Sequence, residues 1–341
     1  MKKALATAAQ ILVTIGLLFW IFHDPEKRQM MIRTLKTVEF IWLLPGILCV
    51  GVMLFVQTER WRILLKVQGI QLGWWRTLWL NMIGAFFNLF LLGSTGGDIV
   101  KIFYLMREVP GKKSSAFLSV VVDRVLGILG LVLVAIVLSF WRFDLLYSHP
   151  ETRHLLGILA MILGSVVTML IAAFVIERLG WIYLLPKWTP FRVQIIELGK
   201  AFFLYAQRRG PILRALIISA VGQLFLFGSF YFASLAFRAH LSLLDIFSVL
   251  PVVLTIASMP ISLSGLGVRE GLLQTMLNSL YGTPEAVAVL ISFTGFLMVM
   301  FWSLVGGVLY AAYRPSGAKK SAIQDMTQQI SEIEKRIERS P

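Results

Sequence analysis

A helix needs about 20 apolar residues to cross a hydrocarbon layer of about 30 Å. Runs of that kind recur along this chain, at about 4–22, 40–57, 116–140, 154–176, 215–237 and 285–312. In lipid, every backbone N–H and C=O has to be satisfied inside the protein, which leaves helices or a closed barrel. The short alternating segments of a membrane β-barrel are absent. Charged residues make up 15% of the 341 residues, well below the roughly 25% of a soluble domain. The expected fold class is therefore an all-α polytopic membrane protein. The opening "MKKALATAAQILVTIGLLFWIF" has the look of a signal peptide, but the run is long and "HDPEKR" offers no small-residue cleavage site. We read it as a retained first span.

Two further apolar regions do not read as simple spans. One, 77–106, is broken by "GSTGGD"; the other, 246–280, is broken by "SLSGLG". Taken as re-entrant hairpins, with the N-terminus in the cytoplasm, they put 1–3, 58–76, 107–115, 177–214 and 313–341 on the cytoplasmic side. Those segments carry 22 Lys+Arg against 8 Asp+Glu, and the external loops carry 7 of each. This is the positive-inside bias. It accounts for the net charge of +14 without a nucleic-acid partner, since a basic cytoplasmic face lies against anionic lipid.

The same topology has a symmetry. Each half runs span, span, hairpin, span, in opposite orientations, as in inverted-repeat transporters. Repeat 1 covers about 4–140 and repeat 2 about 154–312, giving six full spans plus two re-entrant hairpins, N-in and C-in. After the Gly break, both hairpins place a charged pair, an apolar half-helix and a Gly turn. Gly97 to Gly111 is 14 residues and Gly267 to Gly282 is 15. The transmembrane domain is drawn as 1–315 and a polar tail as 316–341. In the tail, Ile323, Met326, Ile330, Ile333 and Ile337 are spaced 3, 4, 3, 4, a heptad seam. Two readings stand: a homodimer contact through 321–339, or an amphipathic helix lying on the membrane.

Chemistry concentrates at the two breaks. Glycine frees the backbone and lets a helix or ligand approach closely, and non-helical backbone at membrane depth survives only in protein or along a wet cavity. In "SLSGLGVREG" the helix restarts near Gly267 or Val268, and its unpaired N–H groups form an anion site. Arg269 and Glu270 lie in its first turn. In "GSTGGDIVK", Ser94, Thr95, Gly96, Gly97 and Asp98 precede Lys101, with Arg107 two turns on. If the hairpin tips meet, they form a polar centre suited to an anionic head group such as phosphate. The structural alternative is that Arg269–Glu270 and Asp98–Lys101 simply pair. Asp98 also suits an N-terminal cap. Asp123 and Arg124, about 100° apart on one helix, are not expected to pair with each other. Arg60 and Arg62 near the end of the second span read as positive-inside anchors, and Trp61 as an interfacial belt residue.

Enzyme motifs fail. "GSTGGDIVK" lacks the Gly-Lys-Ser/Thr of a P-loop, and "GLGVREG" has one residue too many for Gly-x-Gly-x-x-Gly and no βαβ context. His23, His149, His154 and His240 are scattered in short loops, and the lone Cys49 allows no intramolecular disulfide or Cys/His metal cluster. No cofactor and no metal is expected.

"GGDIVKIFYLMR" and "PISLSGLGVREG" resemble the paired signatures of the flippase-like membrane family that includes the transmembrane domain of lysyl-phosphatidylglycerol synthase/flippase proteins. The likeness covers most of residues 5–315. It implies movement of a lipid or lipid-linked head group between leaflets and re-entrant hairpins; the expected location is the inner (cytoplasmic) membrane. On motif match it implies roles for Gly96, Gly97, Asp98, Gly265, Gly267, Arg269 and Glu270, with Ser264 beside them. The soluble aminoacyl-transferase domain of the bifunctional synthases is lacking, so lipid lysylation is not implied. The leading expectation is a translocator rather than an enzyme. The alternatives are a non-transporting scaffold for a lipid or glycan synthase, and an enzyme acting on a lipid phosphate.

Overall fold

A computed structural model of the chain describes residues 2–90, 96–109, 112–178, 205, 208–259 and 261–312. Its regular structure, among the described residues, is entirely helical. Helix α1 (Lys2–His23) and the short α2 (Pro25–Leu35) lead through a 3-10 turn (Phe40–Trp42) into α3 (Leu43–Val67). Then follow α4 (Trp74–Phe90), α5 (Gly96–Glu108), α6 (Lys113–Trp141), α7 (Phe143–Ser148) and α8 (Pro150–Arg178). The rest comprises α9 (Arg209–Ala236), α10 (Leu243–Ala257), α11 (Val268–Tyr281) and α12 (Glu285–Ala312).

Among the described residues, four helical stretches are long and apolar enough to cross a membrane: Phe40–Val67, Ser114–Trp141, Gly210–Ala236 and Glu285–Ala312. The expected runs at 4–22 and 154–176 lie within α1 and α8. The second expected run, 40–57, does not stop at 57. Its helix continues to Val67, which carries Arg60 and Trp61 into the interior. The tail 316–341 and most of 177–214 lie outside the described residues.

The two broken regions fold as helical pairs, α4 with α5 and α10 with α11. The long helices α3 and α9 form the central pair and run antiparallel, with Arg60 beside Ser219 and Gly46 against Phe232. Around them α4 packs on α12, α10 on α6, α6 on α9 and α12 on α3. Between helices in lipid there is little hydrophobic drive, so close approach at small residues sets the packing. A Cβ on Gly306 of α12 would run into the backbone carbonyl of Met82 on α4, and one on Gly130 of α6 would meet Ser219 of α9. A core of Val50, Phe227, Phe230, Val253, Leu277 and Ile291 fills the space between.

Glu39, just ahead of α3, ties that helix to the end of α9. Its N–H donates to the Ala236 carbonyl at 3.0 Å. Its carboxylate accepts from Arg238 Nε at 2.7 Å and Trp42 Nε1 at 3.0 Å. The Arg238 hydrogen bond first, then that of Trp42, holds the Glu39 carboxyl below its ordinary range.

Two outcomes follow from these contacts. Gly306→Ala forces a Cβ into backbone and should lower stability by about 1–3 kcal/mol. Gly157→Ala on α8, where nothing lies within 4 Å of the added carbon, should leave it unchanged or slightly raised. Thermal unfolding in detergent compares them, and equal shifts would refute the α4–α12 close approach. The Glu39 latch has a lowered carboxyl pKa in the folded state, so its contribution is present above the unfolded value of about 4.3 and is lost as pH falls through the folded value. The stability difference between wild type and Glu39→Gln should be present at pH 7 and vanish in acid.

Candidate functional site

The interior holds two buried polar clusters, one per helical pair. In the first, Arg60 of α3, Lys101 of α5 and Asp123 of α6 are 6%, 4% and 8% exposed. Arg60 Nε donates to Asp123 Oδ1 at 2.8 Å and its Nη1 to Ser219 Oγ of α9 at 2.8 Å. Lys101 Nζ donates to Asp123 Oδ2 at 3.3 Å and to Asn81 Oδ1 of α4 at 3.0 Å. The ammonium also lies 3.7 Å from the ring centroid of the wholly buried Trp61, a cation–π contact. One carboxylate thus serves two cations, and neutral acceptors and a π face cover the rest of their charge. The Arg60 guanidinium passes Gly127, where an added Cβ would sit 3.3 Å from it.

A cavity of about 280 Å³ opens beside this cluster. Besides Arg60, Lys101, Asp123 and Asn81 its wall includes Asp98 and Arg124, which form a half-buried ion pair with each other. A second cavity of about 340 Å³ is lined by Ser264, Arg269 and Phe296, among others. The two share Leu54, Gln57, Ala85 and Asn88 as wall. They are neighbours along α3 and α4.

The second cluster is built on a turn that needs glycine. Ser264, Gly265 and Gly267 all have positive φ, at 52°, 73° and 83°. A Cβ on Gly265 would press the Ala257 carbonyl at 2.9 Å, and one on Gly267 would strike Leu17 of α1 at 2.6 Å. Glu270 is wholly buried. Its Oε2 accepts from the Gly267 N–H at 2.6 Å, capping α11. Its Oε1 accepts from Arg269 Nε at 3.0 Å and from Ser292 Oγ of α12 at 2.8 Å. Arg269 Nε also donates to Ser292 at 3.0 Å, and the guanidinium lies 4.9 Å from the Phe296 ring centroid.

The residues singled out in the sequence are therefore divided. Asp98, Lys101, Asp123 and Arg124 meet at the first cavity, and Ser264 and Arg269 at the second. Asp123 and Arg124 turn to different partners, as their 100° separation requires. Arg269 does pair with Glu270, whereas Asp98 goes to Arg124 and Lys101 to Asp123. One N–H at the start of each half-helix is taken by the chain's own acceptor: that of Gly267, just ahead of α11, by Glu270, and that of Gly97 by Asn88 Oδ1 of α4 at 3.0 Å. Gly96 begins α5. Gly97 lets α5 approach the Gly84 carbonyl of α4. Arg107 is exposed and stacks over the Phe103 ring at 4.3 Å, apart from both clusters. Ser94 and Thr95 lie outside the described residues. Arg60, Trp61, Asn81 and Ser219 were missed. The reading of Arg60 and Trp61 as an interfacial anchor is overturned, because α3 runs on past them and other helices cover them. The available signal was Gln57 one helical turn before Arg60, a polar stripe too deep for a span end.

Across both cavities four cations (Arg60, Lys101, Arg124, Arg269) stand against three carboxylates (Asp98, Asp123, Glu270). The surplus sits at Asp123. Asp123→Asn would leave two buried cations without their carboxylate and should cost about 3–5 kcal/mol. Lys101→Met leaves the Arg60–Asp123 pair neutral and should cost clearly less. Unfolding midpoints in detergent order the two variants, and the reverse order would refute the shared-carboxylate arrangement.

Compared with known proteins, the chain matches the family model described as "Lysylphosphatidylglycerol synthase TM region" over residues 7–307. No curated protein matches it.

Proposed function

The chain belongs to the family of the lysylphosphatidylglycerol synthase TM region, and from that premise we propose that it translocates a lipid or lipid-linked anionic head group between leaflets. The head group passes through the polar centre between the α4–α5 and α10–α11 pairs, and the acyl chains stay in lipid. The observation that carries this reading is the surplus buried cation beside a cavity. Arg60 and Lys101 share one carboxylate in a low-dielectric interior, where an incoming anion completes the charge balance. Asp123 holds both cations in place without neutralising both. Arg269, fixed by Glu270 and Ser292, presents the next positive charge along the α3–α4 wall. The role is transport rather than catalysis, with no cofactor.

In this proposal both helical pairs are re-entrant hairpins of an inverted repeat, N-in and C-in, in the inner membrane. The packing supports that reading. Exchanging α3, α4, α5 and α6 for α9, α10, α11 and α12 preserves the partners: α4 on α12 becomes α10 on α6, and α6 on α9 becomes α12 on α3. The polar contacts follow the same exchange. Lys101 reaches Asp123 on the next long helix, 22 residues on, and Arg269 reaches Ser292 on its next long helix, 23 residues on. The heptad tail would join two copies through 321–339.

Reconstitution tests the proposal. Protein-containing liposomes with a fluorescent phosphatidylglycerol are exposed to a membrane-impermeant quencher. Wild type should render inner-leaflet lipid accessible, and Lys101→Met should slow this at least tenfold while remaining folded. Arg269→Lys, which keeps the charge but not the fork to Glu270 and Ser292, should fall between. A Lys101→Met rate equal to wild type removes the mechanism. Folded wild type that moves no head group returns the weight to a non-transporting partner of a lipid synthase.

A further inference from the structure

A third cavity lies away from the polar centre, where α3 ends and α9 begins. Its volume is about 450 Å³ and its wall includes Glu59, Ile63, Lys66, Arg208, Pro211 and Arg214. The α3 residues Glu59, Ile63 and Lys66 are spaced four and three apart, so they share one face of that helix. Arg208 is the residue ahead of α9, and Arg214 lies inside its first two turns. Among the described residues the one carboxylate in this wall, Glu59, is already engaged: its Oε1 accepts from Arg62 Nη2 at 2.9 Å. Lys66, Arg208 and Arg214 are exposed, and among the described residues none of their side chains has a hydrogen-bond or ion-pair partner. Three unpaired cations around a hollow are the reverse of the polar centre, where every cation is held by an acceptor.

The surroundings say what kind of anion fits. On the same helix, Leu213 and Ile217 flank Arg214 and are 59% and 55% exposed. A soluble anion gains nothing from that apolar strip. A lipid does, because its phosphate occupies the basic hollow and its chains lie along α9. Basic pockets between helices at the cytoplasmic surface are suited to anionic head groups, and both helix ends here lie within the segments that carry the basic excess, 58–76 and 177–214.

We propose that this hollow is a binding site for the phosphate of an anionic membrane lipid, distinct from the polar centre. Lys66 lies six positions from Arg60 along α3, and Arg214 five from Ser219 along α9. At 1.5 Å per residue the site lies roughly 8–9 Å along the same two helices from the Arg60 cluster. A lipid held here lies directly beneath the polar centre. The site does not depend on the translocation reading, since its occupancy is measured without transport.

The test uses the full-length protein in neutral detergent. Lipid binding is followed by native mass spectrometry and by the shift in unfolding midpoint on titration with phosphatidylglycerol, phosphatidylcholine or inorganic phosphate. Each basic residue near an anionic head group contributes roughly fivefold in affinity. Replacing all three (Lys66→Gln, Arg208→Gln, Arg214→Gln) should therefore weaken phosphatidylglycerol binding about 100-fold. The replaced side chains are exposed and unpaired, so the lipid-free midpoint should hold. The same loss of charge at Arg28, Arg33 and Lys36, on α2 and just beyond it, should leave the affinity unchanged. Affinity in the triple variant within twofold of wild type overturns the site. So does an equal loss in the α2 variant, which would make the effect one of net charge. Inorganic phosphate binding as tightly as phosphatidylglycerol would assign the hollow to a soluble phosphate compound and overturn the lipid.

Discussion

A carboxylate buried among helices has to be matched by positive charge, and Asp123 is matched twice. Arg60 and Lys101 come to it from α3 and α5, with Asn81 of α4 and Ser219 of α9 completing their hydrogen bonds. Five helices thus meet in one cluster around a single carboxylate. The rest of the interior is arranged so that they can: Gly127 leaves room for the guanidinium, Gly130 lets α6 close on Ser219, and Gly97 lets α5 close on α4. Removing the carboxylate leaves two cations in a medium that penalises each by several kcal/mol. Removing one cation leaves an ordinary pair. That asymmetry makes the cluster a structural hub, and in the proposed function it is where an incoming anion is favoured.

The second cluster solves a different problem. A chain that breaks its helix among buried helices must satisfy the freed N–H groups, and here Glu270 takes that of Gly267 from the first turn of the restarted helix. Being wholly buried, that carboxylate in turn requires Arg269 and Ser292. The arginine is then held at the edge of the second cavity with Phe296 beneath it. Capping, charge pairing and the placement of a cation facing a cavity are one set of contacts. The positive φ values at Ser264, Gly265 and Gly267 turn the chain so that these contacts form.

Much of this was written in local sequence. The break at "SLSGLG", the restart at Val268 and the separate partners of Asp123 and Arg124 follow from glycine's conformational freedom and helix periodicity. Even the cap was legible, since Gly267 and Glu270 have the N-cap to N3 spacing. Arg60 was not. An arginine beside a tryptophan near the end of an apolar run has the same local pattern whether it anchors at a headgroup layer or continues into the interior. What separates the cases is whether other helices cover it, and α6 and α9 come from 63 and 159 residues away.

The sequence by itself determined that the chain is helical, apolar enough for a bilayer and punctuated twice by charged, glycine-rich stretches. Those properties arise from residue-by-residue costs: transfer into hydrocarbon, backbone hydrogen bonding and allowed φ. Only the tertiary structure decided which cation meets which carboxylate, that one carboxylate is shared by two, and that the two cavities adjoin along α3 and α4. A helix fixes the direction in which a side chain points but not what stands there. The partners come from helices far apart in sequence, and their meeting is set by where small residues permit close packing.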